Sequence, residues 1–149
     1  MKFFTASLSL CLVSISQLVF SSPILVSRAA DSELDVWSPT ITYPKGEYIV
    51  WESGSTVYNM TWETANIPER AQNNTGIIML GYLDDNDDSS DEHLDWKYPL
   101  VSGFPISEGI AHFTIDPARN LTTRDSYVLC LLGDSGNISD RLTIEAAQT

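Results

Sequence analysis

Four groups of residues have types and spacings that could do chemistry. Gly133-Asp134-Ser135-Gly136 spells the nucleophile motif of trypsin-like proteases. That chemistry needs a histidine base and a carboxylate behind the serine, normally assembled between two barrels. The two histidines, His93 and His112, lie in an acidic stretch and in an alternating apolar stretch. Gly-Asp-Ser-Gly-Asn is also a favourable turn sequence, and the motif reads as a turn. The acidic run places Asp84, Asn86, Asp88, Ser90, Glu92 and Asp95 at the first, third, fifth, seventh, ninth and twelfth positions of a calcium loop. Its sixth position is Ser89, where the sharp turn takes glycine, and its twelfth is Asp95, shorter than the bidentate glutamate. Asp84, Asn86, Asp88 and Asp95 are therefore weak calcium candidates, and a solvated charge run is the expected state. Trp37, Trp51, Trp96 and Tyr98 fall near turns or strand edges, where an exposed ring could stack on a sugar. Cys130 sits in the apolar run Tyr127–Leu132 and reads as a small buried hydrophobe rather than a reactive thiol. No catalytic residue, cofactor site or firm metal site is expected.

The compartment is written at the start of the chain. Lys2, an apolar run from Phe3 to Phe20 and a small-residue exit describe a secretory signal over residues 1–30, cleaved between 21 and 30. The mature chain then keeps twenty carboxylates and six cations, a net charge of −14. Such a surface repels phosphate backbones and anionic lipid, which argues against nucleic acid and against membranes once the signal is gone. Cys11 leaves with the signal, so Cys130 has no partner and the fold must hold by packing alone. Four sequons, at Asn59, Asn73, Asn120 and Asn137, point to N-glycosylation in the secretory route.

The elements that must position these residues are short and β-rich. Runs of β-branched and aromatic residues alternate with Gly, Pro, Asn and Asp, and no stretch holds a helical period. Strands are expected at Val36–Tyr43, Tyr48–Trp51, Thr56–Glu63, Gly76–Leu83, Ile110–Ile115, Ser126–Leu132 and Ile138–Glu145. Leu94–Leu100 reads as a short strand or edge, and Val101–Gly109 as irregular. Trp62 should point inward if Asn59 points out, and Asp125-Ser126-Tyr127 has the form of a tyrosine corner. About seven strands with regular turn signals give an immunoglobulin-like or fibronectin-III-like antiparallel β-sandwich spanning residues 36–145.

Several short segments taken in order carry a family resemblance. They are Ile41-Thr42-Tyr43-Pro44, Gly54-Ser55-Thr56-Val57 leading to Thr61-Trp62, Leu80-Gly81-Tyr82, Phe113-Thr114-Ile115-Asp116-Pro117, Asp125-Ser126-Tyr127-Val128-Leu129 and Leu142-Thr143-Ile144. Together they resemble the N-terminal domain of fungal Kre/Knh-like proteins, which are linked to cell-wall β-1,6-glucan assembly. The resemblance implies a secreted, non-catalytic β-sandwich of the fungal wall, with no catalytic residues to carry over; the expected partner is β-glucan or another wall protein, and the expected state a monomer. The segment after the domain, Ala146-Ala147-Gln148-Thr149, is not hydrophobic, so no glycolipid anchor is expected. The competing expectations are a secreted protein–protein interaction module or effector, and a small extracellular hydrolase.

Overall fold

Alternating apolar residues between turn-forming clusters become nine strands in the computed structural model, which describes residues 36–84 and 91–147. They are β1 (Ile41–Tyr43), β2 (Val50–Glu52), β3 (Gly54–Trp62), β4 (Thr75–Tyr82), β5 (Val101–Pro105), β6 (Ile110–Ile115), β7 (Arg124–Leu132), β8 (Gly136–Ile138) and β9 (Leu142–Glu145). Single 3-10 turns occupy some connections, and no α-helix occurs among the described residues. The expected signal segment lies outside the described residues. The protein is all-β, in two sheets. One has the order β1-β3-β6, the other β2-β9-β7-β4-β5 with β8 beside β7. The described pairings are antiparallel except β2 with β9, which run parallel with Trp51 opposite Ile144.

Side-chain alternation decides what is inside. In β6, Ala111, Phe113 and Ile115 are buried while His112 and Thr114 are exposed. In β3, Met60 and Trp62 are buried, as expected. The second sheet contributes Ile78 and Leu80 from β4, Leu129 and Leu131 from β7, and Leu142 and Ile144 from β9 to the same core. Trp62 is one of two tryptophans there, with Trp51. Its indole Nε1 donates to the Ile106 carbonyl at 2.8 Å, so its one polar atom is satisfied inside. The β4–β7 ladder runs from Ile77–Leu132 to Tyr82–Tyr127 and forms the centre of its sheet. Most of both faces of these strands is buried, with Met79, Val128 and Cys130 on the side away from the main core and Ile77 exposed near the start of β4. That is why their sequences are apolar without alternation. Tyr127 donates from its hydroxyl to the Thr122 carbonyl at 2.8 Å, the link suggested by Asp125-Ser126-Tyr127.

Four boundaries differ from the sequence expectation. The first strand is Ile41–Tyr43 only, because Trp37 and Pro39 are held by side chains rather than by a ladder, and Thr40 by a single backbone bond from the Glu63 amide at 2.9 Å. Leu94–Leu100 is not a strand. It meets β4 through isolated bonds, Asp95 N to Leu80 O and Leu100 N to Ile78 O. Val101–Pro105 is a strand where irregular chain was expected. Gly103 takes φ 79 within it, and the Phe104 ring lies over Gly76, where a Cβ would come within 2.2 Å. The last expected strand is split into β8 and β9. Between them Ser139 turns inward, accepts the Leu129 amide at 3.0 Å and donates to the Asp140 carbonyl at 2.8 Å.

Candidate functional site

The four aromatic candidates separate cleanly. Trp51 is 3% exposed, stacked on Tyr58 at 4.6 Å and edge-on to Phe113 at 5.9 Å. It is a core residue, which corrects its reading as a sugar contact; its place in β2 makes it look peripheral in sequence, but the parallel pairing with β9 carries it inside. Trp37 is half-buried against the core, also contrary to a stacking platform. Trp96 is 68% exposed and Tyr98 52% exposed, both on the stretch that follows the acidic run.

The stretch around Trp96 and Tyr98 is built from contacts that hold its shape. Trp96 N bonds to Leu94 O at 3.0 Å and Tyr98 N to Asp95 O at 3.3 Å, making tight turns that throw both rings outward. Arg119 pins the stretch from below. Its guanidinium reaches Asp95 at 3.2 Å and the Pro99 carbonyl at 2.9 Å, and its side chain is 10% exposed. Arg119 is itself fixed by the 3-10 turn Pro117–Arg119, which Asp116 caps by accepting the Ala118 amide at 2.9 Å. The Lys97 ammonium lies 4.9 Å from the centroid of the Tyr98 ring. The result is an open groove of about 520 Å³ lined by Asp95, Lys97, Tyr98, Asp116 and Arg119; Trp96 lies between two of these in sequence and is not part of the lining. Lys97, Asp116 and Arg119 were not picked out in the sequence. Asp116-Pro117 signals the capped turn, but nothing local in the sequence ties its Arg119 to Asp95 or marks Lys97.

A second, smaller cleft of about 210 Å³ adjoins Asp95 on the other side. One wall is a layered set of planar groups. The His93 ring stacks on Tyr82 at 4.7 Å, and the Arg124 guanidinium stands 3.9 Å from the Tyr82 centroid. Asp84 lies 3.4 Å from both His93 Nε2 and Arg124. Asn120, Leu121 and Thr122 line the opposite side.

The remaining candidates have structural partners. Asp134 accepts the Trp37 amide at 2.7 Å and the Arg70 guanidinium, and Ser135 Oγ donates to the Trp37 carbonyl at 3.1 Å. The protease-like spelling is thus a fastener for residues 36–40, with no imidazole on Ser135. Of the calcium candidates, Asp84 faces His93 and Arg124, and Asp95 faces Arg119. Asn86 and Asp88 lie outside the described residues. Among the described residues no three His, Cys, Asp or Glu side chains gather as a metal set. Cys130 is buried, and burial, with the Glu92 charge second, pushes its thiol up to about 11. The sequon asparagines differ. Asn73 and Asn120 are exposed and Asn59 is half-buried. Asn137 donates from Nδ2 to the Pro39 carbonyl at 2.7 Å.

No protein-family model, curated protein or solved structure matches the chain.

Proposed function

We propose that this chain is a secreted, non-catalytic glycoprotein of the fungal cell wall, of Kre/Knh type and immunoglobulin-like in fold. It associates with β-glucan through the Trp96–Tyr98 stretch and serves wall organisation. The observation that carries the reading is the pair of exposed rings on the stretch that lines a groove, with Tyr98 in the lining and the Arg119–Asp95 contact fixing polar groups there. Sugar rings present flat C–H faces and a rim of hydroxyls, which suit exposed aromatics flanked by oriented donors and acceptors. The groove falls within the about 300–1,000 Å³ range of small-molecule sites. It is open, as a polymer needs. A neutral glucan also escapes the repulsion that the net charge of −14 imposes on anionic polymers. The split edge, β1 on one sheet and β2 parallel to β9 on the other, and the Tyr127–Thr122 bond support the immunoglobulin-like assignment.

Co-sedimentation of the mature protein with insoluble β-1,3- and β-1,6-glucans tests this. The protein should pellet with at least one of them. Trp96→Ala and Tyr98→Ala should each weaken retention by about threefold to tenfold without lowering Tm. A protein that stays in the supernatant with every glucan overturns the reading.

The second reading is a protein–protein module. It draws on Tyr43, Tyr48, Val50 and Val57, large apolar side chains left exposed within one segment. In that case a wall-protein extract should retain the chain, and loss should follow Val57→Asp rather than Trp96→Ala.

A further inference from the structure

The cleft between His93 and Leu121 contains its own sequon. Asn120, Leu121 and Thr122 all line it, and they are the three positions that direct N-glycosylation. Asn120 is exposed and closes the turn at φ 50, ψ 45, a conformation asparagine tolerates well. Among the described residues no hydrogen bond occupies its carboxamide, whereas that of Asn137 is committed to Pro39 and Ile138. The backbone that follows is tied down at two points. Leu121 packs against the core, and the Thr122 carbonyl is held by the buried Tyr127 hydroxyl. A sugar attached at Asn120 therefore starts from a fixed mount at the rim of a cavity.

The cavity fits such a sugar in size and chemistry. At about 210 Å³ it is below the range of drug-sized sites and holds one ring rather than an oligosaccharide. Leu80 and Leu121 supply apolar surface for a C–H face and an acetamide methyl. Arg124 brings a fork of N–H donors, of which the contact to Asp84 uses one, and Asp95 supplies acceptors. The cation is balanced by Asp84 with Asp95 close by, so the site suits a neutral occupant. A free monosaccharide making one ring's contacts binds weakly, but a covalently tethered ring begins at millimolar effective concentration or above.

We propose that the first N-acetylglucosamine of an N-glycan on Asn120 docks in this cleft against Tyr82, Arg124 and Asp95. It thereby joins the end of the acidic segment, at His93–Asp95, to the Asn120–Arg124 strand entry. The proposal rests on the secretory part of the functional reading and is independent of glucan binding.

Material secreted from a eukaryotic host is first mapped for occupancy at all four sequons. It is then trimmed with an endoglycosidase that leaves a single N-acetylglucosamine on each site. Thr122→Ala removes the Asn120 sequon while keeping Asn120 in its left-handed turn. The same pair made in a bacterial host gives the cost of the substitution without sugar. The Tm loss on Thr122→Ala should be larger by a few degrees in the trimmed pair than in the sugar-free pair. Amide exchange over residues 92–95 and 120–124 should be slower in trimmed wild type than in sugar-free wild type. Equal Tm losses and equal exchange in the two hosts overturn the proposal, as does an empty Asn120 beside occupied Asn59 or Asn73. Four empty sequons overturn it together with the secretory reading. Failure to pellet with glucan leaves it standing.

Discussion

Asp134 holds the Arg70 guanidinium and the Trp37 amide, and those two hydrogen bonds keep its carboxyl below the usual carboxylate range. A carboxyl whose folded pKa is depressed stabilises the fold above its unfolded value, about 3.9, and loses that contribution as pH falls through the folded value. Asp134→Ala should lower Tm at pH 7, and the gap to wild type should close in a thermal-melt series run below about pH 4. Ser135→Ala removes a neutral bond to Trp37 O and should cost about 0.5–1.5 kcal/mol at every pH of the same series. A gap for Asp134→Ala that stays constant into acid would contradict the fastener role. Cys130 titrates the other way. Burial raises its thiol to about 11, so at pH 7–8 it is almost wholly protonated. Alkylation in native buffer should be negligible and become complete once denaturant is added; a thiol that labels at once in native buffer refutes this. Asn137 is the third case. A glycan on Nδ2 would replace one of its two hydrogens and crowd the part-buried bond to Pro39, and the sequon's Ser139 is itself buried between Leu129 and Asp140. Glycopeptide mapping should find Asn137 bare in folded, secreted material.

Strands whose side chains alternate were legible from the sequence, and strands shaped by contacts across the sheet were not. β6 and the inner face of β3 follow the period of two, and their buried residues fall where the pattern puts them. β5 is the opposite case. Its Gly103 and Pro105 look like loop, and what makes it a strand is β4 offering a bare Gly76 for the Phe104 ring. Gly81 plays the same part for the Glu92–Leu94 stretch, where a Cβ would lie 2.2 Å from the Glu92 carbonyl. Neither close approach can be seen until both strands are placed. The candidate site divides along the same line. Exposure of Trp96 and Tyr98 could be read from their polar, turn-rich neighbours. Arg119 could not, because the contact to Asp95 joins residues on two different connections. Trp51 failed for a related reason, since a parallel pairing with β9 leaves no trace in the local pattern. The element that bears most on stability is β3, through Trp62. Trp62→Ala removes one of the two core indoles and leaves the buried Ile106 carbonyl without its donor. The loss should be about 3–5 kcal/mol by chemical denaturation, a large share of the about 5–15 kcal/mol of a typical domain. A shift under ~1 kcal/mol would mean that the two sheets do not close over this ring.

For the molecule as a whole, charge is the dominant property. Residues 31–149 carry −14, and cations such as Arg70, Arg119 and Arg124 are already engaged with carboxylates. What remains is a net negative field around these residues, with Lys97 and Arg119 as the cations at the Trp96–Tyr98 groove. That field separates two kinds of wall association. If the chain were held by ionic attraction to basic wall components, screening would release it. The Debye length falls from about 30 Å at 0.01 M salt to about 3 Å at 1 M. If rings stacking on neutral glucan hold it, salt has nothing to screen between the partners, and less repulsion between neighbouring bound chains should slightly raise the density on the polymer. The expected result is glucan retention that is flat or rising from about 0.01 M to about 1 M sodium chloride. Trp96→Ala should lower the whole curve without changing its slope. Retention that collapses with salt, with Trp96→Ala indistinguishable from wild type, would place the attachment in the acidic surface and remove the groove from it.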